Sequence, residues 1–239
     1  MEKPEDTCSN GTESNMTGFN PSYIGQRDSI LSLLPDTVHK VLDIGCSVGT
    51  LGEQIKKLRN SIVVGIESDV QMAAIAQKRL DSVVIGDVEK ICLDDYLTKS
   101  YFDCVILADV LEHLRNPWDV LKNITPFLHN EGVIVASIPN VRHYTTIMTL
   151  AFRGYWPYRD RGIHDRTHLR FFTLRNINEM FTGVDMKIVR IERTYRIIET
   201  EPESVFKSLS YLNRFSKYSS IPFLKNFLTF QYLVIAKKN

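Results

Sequence analysis

No run in this sequence approaches the roughly 20 apolar residues that a membrane-spanning helix needs. The first residues also lack the basic and apolar regions of a secretory signal peptide, so a cytoplasmic protein is expected. Cysteine is scarce: Cys8, Cys46, Cys92 and Cys104 have no C-x-x-C spacing of the kind that zinc and redox sites use. Three of them sit in or beside apolar runs, which fits reduced, mostly buried thiols. An excess of one charge is missing too. At +1 the chain sets up no field that would draw nucleic acid or a membrane surface. Residues 1–20 hold almost nothing apolar and are expected to form a disordered tail. In such a tail the triplets Asn10-Gly11-Thr12 and Asn15-Met16-Thr17 match the glycosylation pattern by chance. The rest is apolar enough, at 44% over 239 residues, to bury one full core over 21–239.

What is present is a glycine-punctuated turn, Val41-Leu42-Asp43-Ile44-Gly45-Cys46-Ser47-Val48-Gly49-Thr50. An apolar run ends at an acid, turns, and enters a helix over 51–59. Strand, turn and helix open a doubly wound α/β fold, whose ligands sit at the carboxyl ends of the strands. The phosphate-binding patterns do not fit. A dinucleotide fingerprint needs G-x-G-x-x-G, and a P-loop needs a lysine after its last glycine. An acid beside a glycine turn instead suits a cationic ligand. The motif repeats. Strand Ser61–Ile66 ends at Glu67-Ser68-Asp69, and strand Val83–Ile85 ends at Gly86-Asp87-Val88. Further strands are expected at Phe102–Leu107, Gly132–Ile138, Val184–Arg193 and Gln231–Ala236, with helices at Tyr23–Leu34, Val70–Leu80 and Pro117–Leu128.

This pattern resembles the class I S-adenosylmethionine-dependent methyltransferases, whose first motif is an acid followed by G-x-G-x-G. Ser47 stands where the middle glycine would be. The resemblance covers about residues 21–239 and is closest over 40–140. It implies a Rossmann-like α/β fold: a seven-stranded, mostly parallel sheet with an antiparallel last strand and helices on both faces. It implies S-adenosylmethionine as cofactor. Asp43, Gly45, Cys46, Ser47 and Gly49 would form the turn around it. Glu67, with Ser68, would bind the ribose diol. Asp87 would accept from the adenine amine while the Val88 N–H serves a ring nitrogen. Ala108 would line the pocket after the fourth strand. Met72 would pack on adenine or on the core. Tyr23 and Arg27 would close over the cofactor from the helix ahead of the first strand.

Two segments exceed what the sheet needs. Residues 141–175 carry Arg153, Arg159, Arg161, Arg166, Arg170 and Arg175, interleaved with Tyr155, Trp156, Tyr158 and Phe171. An insertion on the rim of a scaffold commonly builds an acceptor pocket, and these arginines favour an anionic small molecule. Residues 199–228 carry an apolar stripe, Phe206, Leu209, Leu212, Phe215, Phe223, Leu224 and Phe227, suited to packing or to a homodimer contact.

Asp109, Glu112 and His113 recur at i, i+3 and i+4, which on a helical turn is one face. Downstream, Asp165 to Thr173 offers His168. The two runs resemble a subgroup with D-x-L-E-H-L and D-x-x-H-x-R-x-F-T, often encoded with polysaccharide and secondary-metabolite genes. Their spacing is also similar to small-RNA 3′-terminal 2′-O-methyltransferases and ubiquinone-pathway O-methyltransferases. In those families such residues hold a divalent metal, which here would fall to Asp109, Glu112, His113 and His168. A metal-free alternative makes His113 or His168 the general base. A structural alternative pairs Glu112 locally, for example with Arg115. His164 can stand in for His168 in either. His39, His129 and His143 read as surface or loop residues. The expected activity is O-methylation of a small polar or phosphate-bearing acceptor, such as a nucleotide sugar, glycan or secondary-metabolite intermediate. Two alternatives are RNA ribose 2′-O-methylation, which the +1 charge disfavours, and a non-catalytic cofactor-binding subunit.

Overall fold

The computed structural model describes residues 27–196 and 222–239. The expected tail 1–20, Tyr23, and Phe206, Leu209, Leu212 and Phe215 of the apolar stripe lie outside those residues, as do the side chains of Phe223 and Leu224. The described elements are α1 (Asp28–Leu31), β1 (Lys40–Ile44), α2 (Thr50–Arg59), β2 (Ile62–Glu67), α3 (Val70–Ala76), β3 (Ser82–Ile85) and β4 (Phe102–Ala108). They continue through α4 (Pro117–Ile124), β5 (Leu128–Pro139), α5 (Tyr144–Arg153), α6 (Leu174–Thr182), β6 (Met186–Tyr195), α7 (Pro222–Leu228) and β7 (Thr229–Lys238).

The strands form one seven-stranded sheet in the order β3-β2-β1-β4-β5-β7-β6. β1, β2, β3, β4 and β5 run parallel, while β7 is antiparallel to both β5 and β6. The order reverses beside β1, which opens a crevice at the carboxyl ends of β1 and β4.

Both faces of the sheet are covered. Leu42, Ile44, Val105 and Leu107 face a core that includes Leu121, Ile124, Ile177 and Phe181 from α4 and α6. Val41, Cys104 and Ile106 face the opposite core, with Ile30 of α1, Leu51 and Ile55 of α2 and Ala76 of α3. This two-sided burial explains the near-continuous apolar runs of β1 and β4. Each fully buried aliphatic side chain contributes roughly 1.5–3 kcal/mol, so the strands are held far more firmly than the loops between them.

Some elements differ from the sequence reading. α4 stops at Ile124 and passes into a short 3₁₀ turn, Thr125–Phe127, because Pro126 has no N–H to continue the helix. α1 ends at Leu31 and not at Leu34, and α3 ends at Ala76 and not at Leu80. α5 and α6 occupy the arginine-rich segment and its end. α6 is capped by Thr173, whose hydroxyl and the Asn176 side chain form a reciprocal capping box. His143, expected as a surface or loop residue, is in the loop that caps α5 but is fully buried there. Its Nδ1 lies 2.8 Å from Thr145 Oγ1 and its Nε2 lies 2.8 Å from the Arg196 carbonyl, so both ring nitrogens are satisfied. Cys92 is exposed, whereas Cys46 and Cys104 are buried free thiols.

Candidate active site

At the end of β1 the chain reverses through three residues in the left-handed region: Gly45 (φ +68°), Ser47 (φ +53°) and Gly49 (φ +78°). A Cβ at Gly45 would lie 2.8 Å from Val110 Cγ2, and one at Gly49 would lie 3.1 Å from the Ala76 backbone. Both glycines are therefore required by space as well as by conformation. Ser47 adopts the same conformation with a side chain, so the position keeps glycine geometry without glycine. The turn is tied to β2: Gly45 N–H donates to the Ile66 carbonyl at 2.8 Å, and Ser47 N–H donates to Glu67 Oε2 at 2.8 Å. Glu67 Oε1 accepts from Asp69 N–H at 2.8 Å. Glu67 thus braces the glycine turn while keeping lone pairs for a further donor.

The turn floors a cavity of about 480 Å³, within the range of small-molecule sites. Of the expected cofactor residues, Arg27, Gly45, Ser47, Glu67, Ser68, Met72, Asp87, Val88 and Ala108 line it. Met72 is part of the wall, its sulfur 3.6 Å from Ser47 Oγ, and not of the core. Asp87 caps its own turn at Glu89 N–H and pairs with Lys90, a hydrogen bond that holds its carboxyl below the usual range. Three expected residues do not line the cavity. Gly49 is the N-cap of α2, and Cys46 is buried with its sulfur against Gly65, where burial pushes the thiol up. Asp43, expected at the mouth of the crevice, is only 2% exposed beneath the turn, and its Oδ2 has no hydrogen-bond partner among the described residues. Burial raises its pKa to about 7, against the pull of Arg27 and with the push of Glu67.

Asp109 follows β4 and is itself left-handed (φ +56°), so the helical turn expected through Asp109, Glu112 and His113 does not form. A short 3₁₀ turn, Leu111–His113, carries the last two, and Asp109 points elsewhere. Its carboxylate accepts from Arg27, from Ser137 Oγ at 2.7 Å and from Gln231 Nε2. Sequence reasoning missed Ser137 and Gln231. The available signal was a lone polar residue within each of two apolar strands, where a buried polar group requires a partner.

The segment from Ile163 to Arg170 is clamped onto the 3₁₀ turn: Leu169 and Arg170 N–H groups donate to the Glu112 carbonyl at 2.8 and 3.0 Å. This brings Glu112, His113 and His168 together, with one ligand atom from each within 4.8 Å of the others. The histidine rings meet edge to face, 4.7 Å between centroids. The Glu112 carboxylate is 1% exposed. Its oxygens have no hydrogen-bond partner among the described residues, and His168 Nε2 lies 4.0 Å from Oε1. Burial raises the Glu112 pKa well above the usual range, with Asp109 adding to it, while burial lowers that of both histidines. A neutral pair of imidazoles beside an orphaned carboxylate suits a divalent ion of mixed N and O preference. His164 is separate: it is buried against Trp156, 4.8 Å between ring centroids, and lines a second cavity.

The arginines of 141–175 do not converge on the first cavity. Arg166 pairs with Asp160, Arg175 with Glu179, and Arg170 donates to the Arg115 carbonyl. Arg153 and Arg159 line the second cavity, of about 440 Å³, with Tyr144, Met148, Phe152 and His164.

Comparison with known proteins identifies the fold. A methyltransferase dependent on S-adenosylmethionine from Archaeoglobus fulgidus superposes with a TM-score of 0.60 at 19% identity, covering 91% of this chain and 97% of that one. Magnesium protoporphyrin IX methyltransferase from Synechocystis PCC 6803, solved with bound S-adenosylhomocysteine, superposes at 0.58 with 14% identity, covering 98% and 90%. The fold is that of the class I S-adenosylmethionine-dependent methyltransferases. Within it, the sequence model of the family described as "Methionine biosynthesis protein MetW" matches residues 26–219, and the chain belongs to that family. Ubiquinone biosynthesis O-methyltransferase from Histophilus somni is 29% identical over 111 residues, 44% of this chain and 46% of that protein. A counterpart from Pasteurella multocida is 30% identical over 131 residues, 50% and 52%. The chain thus spans about half the length of the curated relatives it matches. Among the described residues, no helix is long and apolar enough to cross a membrane.

Proposed function

We propose that this protein transfers a methyl group from S-adenosylmethionine to a hydroxyl of a small polar, anionic acceptor. The carrying observation is the charge balance around the first cavity. Glu67, Asp69, Asp87, Glu89 and Asp109 line it against the guanidinium groups of Arg27 and Arg115, and burial raises the pKa of two further acids, Asp43 and Glu112. A ligand with an α-ammonium and a sulfonium supplies the missing positive charge. Glu67 would hold its ribose hydroxyls, and Met72 and Asp87 would meet its adenine. In this reading the acceptor hydroxyl attacks the methyl carbon, the carbon–sulfur bond breaks, and its electron pair stays on sulfur as S-adenosylhomocysteine. A hydroxyl is a poor nucleophile, so its proton passes to a base during attack, worth about 10²–10⁴-fold. His113 lines the cavity and is kept neutral by burial, which suits that role.

The orphaned Glu112 supports a second reading, in which Glu112, His113 and His168 hold a divalent ion. When bound, such an ion would lower the pKa of the acceptor hydroxyl. Asp109 is committed to Arg27, Ser137 and Gln231 and is not needed as a ligand. An anionic acceptor is supported by Arg153 and Arg159, which line the second cavity with no carboxylate among its described lining residues.

The test is calorimetry of the full chain with S-adenosylmethionine and S-adenosylhomocysteine, followed by methyl-label transfer to a panel of phosphorylated and carboxylated alcohols. Uptake of both nucleosides is expected. No uptake at millimolar concentration would overturn the reading.

A further inference from the structure

We infer that Asp165 and Thr167 are positioning residues that lock His113 in a single tautomer, with the proton on Nδ1. The inference rests on the reading of His113 as a functional group and adds what prepares it.

Thr167 Oγ1 sits between two partners: Asp165 Oδ1 at 2.6 Å and His113 Nδ1 at 3.1 Å. A hydroxyl has one proton to give. A carboxylate can only accept, so at 2.6 Å the proton goes to Asp165, and Thr167 Oγ1 becomes an acceptor toward the ring. His113 Nδ1 must then carry a hydrogen, and in the neutral ring Nε2 becomes the nitrogen with the lone pair. Asp165 is suited to fixing this polarity. It is 4% exposed, and its Oδ1 also accepts from Thr167 N–H at 2.8 Å, which fixes the hydroxyl's position.

The neighbouring ring is set the same way by a different group. His168 Nδ1 lies 3.2 Å from the Ile163 carbonyl, which can only accept, so His168 Nε2 also bears the lone pair. It is this Nε2 that lies 4.0 Å from Glu112. One segment, residues 163–168, therefore fixes both imidazoles from their Nδ1 sides. Thr167 and His113 both line the cofactor cavity, so the locked ring belongs to the reacting chamber. A general base and a metal ligand both need a lone pair on a defined nitrogen, so the lock serves either role.

Thr167→Val removes the hydroxyl at nearly constant shape, and Thr167→Ser keeps it. Two-bond ¹H–¹⁵N spectra of the histidine rings, recorded on the full chain without cofactor or acceptor, read the tautomer directly. The wild type and Thr167→Ser are expected to show a pyridine-like Nε2 at His113, and Thr167→Val an averaged signal from mixed tautomers. In the methyl-transfer assay kcat of Thr167→Val should fall by up to about 10²-fold, while KM for the cofactor changes less and Thr167→Ser recovers most of the rate. If His113 of folded Thr167→Val keeps its proton on Nδ1, the inference is overturned. It is overturned equally if the wild-type ring carries its proton on Nε2. The spectra need no turnover, so they decide the inference even if the methyl-transfer reading fails.

Discussion

Asp43→Asn probes the physical premise of the site, that its acids are buried without enough positive charge. The Asp43 carboxyl has a pKa of about 7 in the folded chain and 3.8 as its ordinary value. Between those two values the native state holds a proton that the unfolded chain has released. Stability from this group is therefore full below about pH 4 and is lost as the pH rises through 7. A difference near three units at 1.36 kcal/mol each corresponds to about 4 kcal/mol. About 2.5 kcal/mol of that falls between pH 5 and pH 7.5. Asparagine cannot ionise, so it removes the slope. Its amide brings a donor into a place where Oδ2 already lacks a partner, at a cost of roughly 1–3 kcal/mol, but that cost does not depend on pH. Urea unfolding of both proteins at pH 5 and pH 7.5 separates the two effects. Relative to wild type, the variant should gain about 2.5 kcal/mol on going from the lower to the higher pH. A stability difference that stays within about 0.5 kcal/mol between the two would refute the reasoning, whatever its absolute size.

Glu67→Gln places an amide donor against the N–H groups of Ser47 and Asp69, and calorimetry should show S-adenosylhomocysteine binding weakened by about tenfold or more. Ser47→Gly relieves a left-handed side chain, and the thermal midpoint should hold or rise, by an amount corresponding to no more than about 1 kcal/mol. Gly65→Ala forces a Cβ to 2.5 Å from Cys46 Sγ and 2.8 Å from Leu80 Cδ1, and denaturant unfolding should reveal a loss of about 1–3 kcal/mol. If Glu112, His113 and His168 hold a divalent ion, titration with Mn²⁺ should register one site in the wild type and none in Glu112→Gln. Equal heats in both proteins would remove the metal reading.

The chain's alternation of apolar runs and acids carried the sheet. Glu67 is the last residue of β2 and Asp87 follows β3, because a buried parallel strand needs continuous apolar residues and releases the chain into polar surroundings only at its carboxyl end, while Asp43 sits one residue inside β1. The glycine turn was equally legible, since Gly45 and Gly49 stand where no Cβ fits. So was the pairing of the Glu112-His113 turn with His168, through motif resemblance. The direction of each side chain was not. Asp109 was grouped with Glu112 and His113 by spacing, but a left-handed backbone at Asp109 cancels helical spacing and turns its carboxylate to Ser137 and Gln231. Asp43 looked like a ligand contact, yet the turn that follows it closes over it. Arginine abundance in 141–175 was visible, but which carboxylate or cavity each arginine meets was not. Sequence by itself determined where strands end and which residues the backbone cannot tolerate, because those follow from local sterics and burial. Only the tertiary structure decided partners, because a hydrogen bond between residues as far apart as Asp109 and Gln231 depends on the sheet order, which sets β7 one strand away from β4 across β5.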